Sequence, residues 1–321
     1  MNIKLNIPES FYQGEEKCGY YVSPEMKKVW ATELDLIAEF ARVCKKHDLK
    51  WWIDSGTLLG AARHKGFIPW DDDVDIVMMR KDYEKLCEVA DSEFQYPYHL
   101  RSPHNDRERM HEFAKLHNEE TTMIDGDFGV DIFRSGKKFN YSQGIWIDIF
   151  PLNDIPDDDR KFMRMLKKAN VYRYIAQRLY TTAYVYTPAL TKWKRPLKAA
   201  LHFLVKNTNI GALYMKFFAK YMDVINSYNC PDSKRVVNFL PLSWTPDNRL
   251  KNYLMPRAYF DETIELPFEM LTLPAPAHYD EILTRYYGEW HKPEIRSPHS
   301  KFYDAERSYK YYIEHGLPEG V

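Results

Sequence analysis

The sequence predicts an α+β fold carrying a basic helical insert, and three observations carry that prediction. Strand-like and helix-like runs alternate between residues 23 and 150, and mixed character returns after 228. Residues 160–227 show helical periodicity alone. Charge divides along the same line: residues 160–222 hold 14 Lys and Arg and no Asp or Glu, so the other 31 basic residues share the rest of the chain with all 46 acidic ones. A stretch so depleted of acids has a surface unlike the remainder. With 321 residues and a hydrophobic fraction of 45%, the chain has room for one large or two small domains and a sizeable core.

The elements follow in order. Residues 1–22 read as an irregular or strand-containing lead-in. A helix starts with Ser23 as N-cap and Pro24 at its first position, with Trp30, Leu34, Ile37, Ala41 and Cys44 at helical spacing. It leads into a strand at 51–54, which ends in the turn Ser55-Gly56-Thr57 and a short helix-like run. An acidic cluster then enters a second strand ending near 79. Residues 80–93 form another helix, with Tyr83, Leu86, Cys87 and Ala90 on one face. Further strands are predicted at 98–100, 112–116 and 145–150. The acidic, Pro-containing segment 154–159 reads as a linker.

Three helices are predicted beyond it, at about 160–180, 189–206 and 210–227. Their longest uncharged run, 179–191, is too short to span a bilayer. Residues 268–273 read as a strand, Pro274-Ala275-Pro276 as a turn, and 278–287 as a helix stopped by Gly288. The expected division is therefore a core with its N-terminal helix over 1–153, a basic insert over 160–227, and a C-terminal part over 228–321 that packs back on the core.

The chemistry concentrates in WWIDSGTLLGAARHKGFIPWDDDVDIVMM, residues 51–79. Small residues at a strand-to-helix turn let backbone approach phosphate, and nearby carboxylates can hold a divalent metal. In a continuous strand Asp71, Asp73 and Asp75 would lie on one face and Val74, Ile76 and Met78 on the other. A calcium loop also opens with aspartates at these spacings. It needs Gly at its sixth position and Glu at its twelfth, where this chain has Ile76 and Asp82. A solvated turn is the other plain reading, and the apolar strand that follows argues against it.

Asp148 sits alone among apolar residues in Gly144-Ile145-Trp146-Ile147-Asp148-Ile149-Phe150. A lone charge there is costly unless it is paired or bound to a metal; a strand-end residue at the surface is the alternative. In the loop after the turn, Arg63 could neutralise phosphates in a bidentate contact, and Trp70 could stack on a base or pack in the core. Lys115 could point into the cleft or outward from its strand. Arg296 and His299 could reach a second substrate or be structural.

GTLLGAARHKGFIPWDDDVDI resembles the signature of the LicD family, which is similar to fukutin and fukutin-related protein. GIWIDIFPL resembles that family's second signature, and PFEMLTLPAPAHYDEILTRYYGEW and IRSPHS resemble its closing block. The resemblance runs from about residue 26 to about 300 and is weak between 160 and 240. It implies a nucleotidyltransferase fold, a small mixed β-sheet flanked by helices. It implies that Ser55, Gly56 and Thr57 hold donor phosphates, and that Asp73, Asp75 and Asp148 hold Mg²⁺, as one or two ions. It also implies transfer of a phospho-alcohol, phosphocholine first among them, from a CDP-alcohol donor to a sugar hydroxyl of a cell-surface glycan or its lipid-linked precursor, with release of CMP. Asp148 could also take the hydroxyl proton. Two alternatives stay open: a nucleotidylyltransferase that uses an NTP, and a non-catalytic scaffold docked on a membrane.

The N-terminus lacks an apolar signal-like run, and Cys18, Cys44, Cys87 and Cys230 lack paired or zinc-like spacing. The expectation is a cytoplasmic protein, with peripheral attachment to the inner face of the cell membrane open. The basic segment 160–222 fits a solvated face, an anionic membrane surface or a phosphate-rich glycan. No nucleic-acid-reading motif is present, so no nucleic-acid partner is expected.

Overall fold

A computed structural model describes residues 3–105, 112–126, 133, 143–184, 196, 199–200, 203–204, 213–228, 230, 232–242, 247–295 and 301–319. A hairpin of β1 (Glu15–Lys17) and β2 (Tyr20–Val22) precedes helix α1 (Pro24–Lys46). The Ser23 hydroxyl accepts the Met26 N–H at 3.2 Å, and Pro24 fills the first turn, so the start read from sequence is the start observed. Trp30, Leu34 and Ile37 on this helix have no exposed surface.

β3 (Trp52–Ile53) is followed at once by helix α2 (Ser55–His64), then β4 (Asp75–Met79) and α3 (Arg80–Glu93). β5 (Tyr98–Arg101), β6 (Ala114–Asn118), β7 (Thr122–Asp125) and β8 (Trp146–Asp154) come next. Two long helices, α4 (Asp159–Tyr184) and α5 (Leu213–Asn226), stand where the first and third helices of the basic segment are predicted. The middle one, predicted at 189–206, lies largely outside the described residues. The C-terminal part adds β9 (Arg235–Val237), the short helix α6 (Phe239–Leu242), β10 (Met255–Pro256), β11 (Thr263–Phe268), β12 (Leu271–Pro276), helix α7 (Tyr279–Tyr287), β13 (Lys301–Asp304) and α8 (Tyr309–His315).

Seven strands form one mixed sheet. β4 runs parallel to β8 and antiparallel to β3. β8 is long enough to serve two partners on its other edge: β6 along its first half and β9 at its last two residues. The main apolar core lies between this sheet, α1, α2, α3 and the β11–β12 hairpin. A second cluster forms where the chain leaves β8, from Ile155, Phe162 and Leu166 against Tyr221, Val224, Phe239 and Leu250. Arg173 of α4 bridges the two regions by pairing with buried Glu112 just before β6, at 2.7 Å.

Two local expectations are corrected. β4 begins at Asp75, so 71–74 is an extended loop and only the last of the three alternating aspartates stands on a strand. Pro274-Ala275-Pro276 belongs to β12, and the turn is made earlier at Glu269, whose φ is 52°. Proline is tolerated there because a two-stranded ribbon consists of edge strands, which leave one side of the backbone unpaired.

Candidate active site

The sheet register assembles the centre of the site. Asp75 on β4 lies opposite Asp148 on β8, and Asp148 lies opposite Lys115 on β6. Directly paired residues on adjacent strands share a face. Two carboxylates and an ammonium far apart in sequence therefore form one row across three strands.

α2 closes the site from the side. Its first residue, Ser55, has φ 48°, a left-handed conformation that is strained for a side-chain-bearing residue. Gly56 follows because any Cβ there would meet Asp71 Oδ2 at 2.7 Å. Gly60, one turn on, sits so close to the Gly66 carbonyl that a Cβ would come within 2.4 Å of backbone. The short helix is thus pressed against the loop carrying the aspartates.

Ser55, Gly56, Arg63, Trp70, Asp71, Asp73 and Asp75 line one cavity of about 340 Å³. Six of the predicted site residues meet there, joined by Asp71. Its far wall, which the sequence did not reveal, comes from Tyr287, Glu289, Trp290, Lys292 and Glu294. Arg63 holds that wall in place: its Nη1 donates to the Trp290 and Lys292 carbonyls at 2.7 and 3.2 Å. It lines the cavity while clamping backbone. Trp70 is buried, with edge-type contacts to Tyr20 and His64.

Thr57 and Lys115 each have a partner within the protein. The Thr57 hydroxyl oxygen accepts the Asp75 N–H at 2.8 Å and so fixes the start of β4. Lys115 Nζ lies 2.6 Å from Asp148 Oδ1 and 4.1 Å from the centroid of the Trp146 ring. Both contacts follow from the side-chain direction, which residue type alone does not specify. Arg296 and His299 lie outside the described residues.

The acidic loop splits in two directions. Asp71 and Asp73 line the cavity, whereas Asp72 is fully buried behind it. There Tyr303 donates its hydroxyl to Asp72 Oδ2 at 2.8 Å, and Lys301 Nζ sits 3.1 Å from Oδ1. Lys301 also reaches Asp73 Oδ2 at 3.8 Å. Both partners come from β13, whose pairing with β7 brings them to the loop. Trp30 of α1 steadies the same loop by donating to the Asp71 carbonyl at 3.0 Å.

Electrostatics mark this cluster. Burial, then the charges of Asp73, Asp148, Asp54 and Asp71, push the Asp75 carboxyl well above its ordinary range. Burial also raises Asp148, against the pull of Lys115. Burial lifts Asp54 to about 6, moderated by hydrogen bonds from Ser55 and Tyr286. Glu33 on α1 is driven well up by burial and then by Asp72, and neither of its carboxyl oxygens has a hydrogen-bond partner among the described residues.

A hard divalent cation fits this donor set. One carboxylate oxygen from each of Asp71, Asp72 and Asp73 comes within 4.8 Å of the others, and such oxygens are what Mg²⁺ and Ca²⁺ accept. This group shares Asp73 with the expected trio Asp73, Asp75 and Asp148, whose other two members stand side by side on β4 and β8. The cluster on its own resists full ionisation, a cost that a bound cation removes.

Asp75 at the start of β4 thus joins the loop residues Asp71 and Asp73 on a cavity that also takes in the N-terminus of α2, and Asp148 lies opposite Asp75 on the neighbouring strand. Residues 48–172 match the family described as LicD/FKTN/FKRP, nucleotidyltransferase domain. The chain is similar to the LicD family over this stretch. It is 25% identical to the lipopolysaccharide cholinephosphotransferase LicD of Haemophilus influenzae over 283 residues, 85% of this chain and 97% of that protein. It is 28% identical to the mouse ribitol-5-phosphate transferase FKTN over 125 residues, 33% of this chain and 25% of that one. A 34-residue stretch, 11% of this chain, is 50% identical to the human ribitol 5-phosphate transferase FKRP, of which it covers 7%.

Proposed function

We propose that this chain is a LicD-type phosphotransferase that moves a phospho-alcohol, phosphocholine in the first instance, from a CDP-alcohol to a sugar hydroxyl of a cell-surface glycan or its lipid-linked precursor. The observation that carries this reading is the row Asp75–Asp148–Lys115, beside a cavity that also holds Ser55, Gly56 and Asp73. The near full-length likeness to a cholinephosphotransferase supports the choice of alcohol.

Asp73, Asp75 and Asp148 would hold Mg²⁺, which supplies Lewis-acid stabilisation of phosphoryl oxygens when bound. Ser55 and Gly56 would lie against the donor's phosphate chain at the N-terminus of α2, an end of a helix where backbone N–H groups lack intrahelical partners. Trp70 would stack on the donor base or cover the alcohol, and Arg63 would keep the far wall at the right distance. The acceptor hydroxyl attacks the phosphorus that bears the alcohol, its proton passes to a carboxylate of the cluster, and the bond to CMP breaks.

The catalytic unit would comprise 1–153 and 228–321, with 160–227 as an accessory to it. No described helix is long and apolar enough to cross a membrane. Val171, Tyr174, Phe203, Leu204 and Met215 are exposed on the basic helical segment. That pairing of apolar and basic surface supports peripheral docking at the anionic inner face of the cell membrane.

The direct test is a thermal-shift panel in Mg²⁺ with CDP-choline, CDP-glycerol, CDP-ribitol, CTP and ATP. A ligand at 100 times its Kd adds about 2.7 kcal/mol. Selective stabilisation by CDP-choline, lost in EDTA, is the expected result. Stabilisation by CTP or ATP alone would replace phosphotransfer with nucleotidylyl transfer.

A further inference from the structure

Trp146 carries two ammonium groups near its ring. Lys115 Nζ lies 4.1 Å from the centroid and Lys301 Nζ 5.8 Å from it. The lysines come from distant parts of the chain, β6 and β13, yet both are nearly enclosed, with side chains 10% and 6% exposed. Each ends on a different carboxylate of the acidic cluster: Lys115 on Asp148 at 2.6 Å, Lys301 on Asp73 at 3.8 Å and on Asp72 at 3.1 Å.

This burial needs a reason. Lysine is among the residues least often enclosed, and removing an ammonium from water is costly unless it is paired. Packing alone would be better served by Met or Leu at these positions. A crowd of aspartates is different. Without positive charge nearby, Asp71, Asp72, Asp73, Asp75 and Asp148 would repel one another. Asp71, Asp72 and Asp73 stand on a loop before β4, and this loop is tied to β8 at Val74, whose carbonyl accepts the Asp148 N–H at 2.8 Å.

We propose that Lys115 and Lys301, sharing Trp146, are built-in counter-cations of the acidic site. They act as positioning residues through Asp148 and Asp73. They keep these carboxylates assembled when no metal is bound, and by like-charge repulsion they weaken the grip on a divalent ion so that it can exchange. Lys301 has the larger part, because it touches both the buried and the cavity-facing carboxylate of the loop. This inference rests on the metal reading of the cavity.

The test is titration of the full chain with Mn²⁺ alone, free ion being read by electron paramagnetic resonance, together with melting in EDTA and in Mn²⁺. Removing a fixed positive charge beside a cation site should tighten Mn²⁺ binding by on the order of tenfold. Lys301→Met should therefore show a lower Mn²⁺ Kd than the parent, a lower melting point in EDTA, and recovery of that loss with Mn²⁺. Lys301→Arg keeps the charge and should retain the parent's Kd. A Lys301→Met variant that melts cooperatively with an unchanged or weaker Mn²⁺ Kd overturns the proposal, because a merely structural lysine would lower stability without tightening the metal. Lys115→Met carries the same prediction at Asp148 if Lys301→Met fails to fold. A parent chain that binds no Mn²⁺ overturns the metal reading and this inference together, a pattern distinct from the first failure.

Discussion

β8 carries an aspartate near each end, and the two ends differ in what surrounds them. Asp148 pairs with Lys115 in the main core, opposite Asp75 and within the field of Asp73. Asp154 pairs with Arg257 at the other end, where β9 joins and the chain turns through Ile155 into the second apolar cluster. Burial raises both carboxyls, and in both a cation pulls the other way. Residue type, strand and ion pair are alike. What sets Asp148 apart is an excess of carboxylates over cations around it. The ion pair alone does not make a site; the surplus charge does.

The largest expected effect separates the two ends. Asn keeps the shape of Asp and removes the charge. Asp148→Asn should lower phosphotransfer by on the order of 10³-fold, since a group that holds a charge-stabilising ion acts in the transition state. Its melting point should stay within a few degrees, because the substitution also relieves repulsion with Asp75. Asp154→Asn should cost about 1 kcal/mol of stability, as expected for a partly exposed pair, and leave turnover within about a factor of two. Similar activity losses in both variants would break the comparison.

The sequence made much of this legible where local rules decide. Ser23 and Pro24 gave the start of α1, and Gly288 the end of α7. Ser55, Gly56, Arg63, Trp70, Asp73 and Asp75 meet in one cavity, as a turn followed by carboxylates suggested. The misses are non-local. Lys301 and Tyr303 reach Asp72 only because β13 pairs with β7, and no nearby pattern announces that pairing. The wall at Tyr287 and Trp290 follows from Arg63 gripping a distant backbone. The contacts of Thr57 with Asp75 and of Lys115 with Asp148 depend on side-chain direction, which residue type leaves open.

The second comparison lies beyond the far end of β8. Lys167, Val171, Tyr174 and Arg178 recur at helical spacing along one exposed side of α4, and the Arg178 guanidinium lies 5.1 Å from the Tyr174 ring centroid. Replacing Lys167, Arg178 and Lys216 with Ser should weaken sedimentation with phosphatidylserine-containing vesicles by roughly 100-fold, at about 1 kcal/mol per charge. Neutral vesicles should bind poorly in either case, and melting in CDP-choline should be unaffected. Unchanged sedimentation with anionic vesicles would remove the membrane role and leave this face to solvent or to a glycan.

Asp54 supplies the limiting case, a buried carboxyl with no ion-pair partner among the described residues. It is 4% exposed, and its side chain accepts from the Ser55 backbone N–H and from the hydroxyls of Ser55 and Tyr286, the last two at 3.4 and 3.5 Å. Its carboxyl titrates at about 6 in the folded chain against 3.8 ordinarily, chiefly through burial. A raised acid means that the native state binds the proton more tightly than the unfolded one. The stability this contributes is full below 3.8 and is lost as pH rises through 6. Asp54→Asn removes the titration. In EDTA, denaturant unfolding should show the variant gaining on the parent between pH 4 and 6, reaching a plateau on the order of 2 kcal/mol by pH 8. A pH-independent difference would mean that burial alone does not load this carboxyl, and the contrast with cation-paired Asp148 and Asp154 would lose its third point.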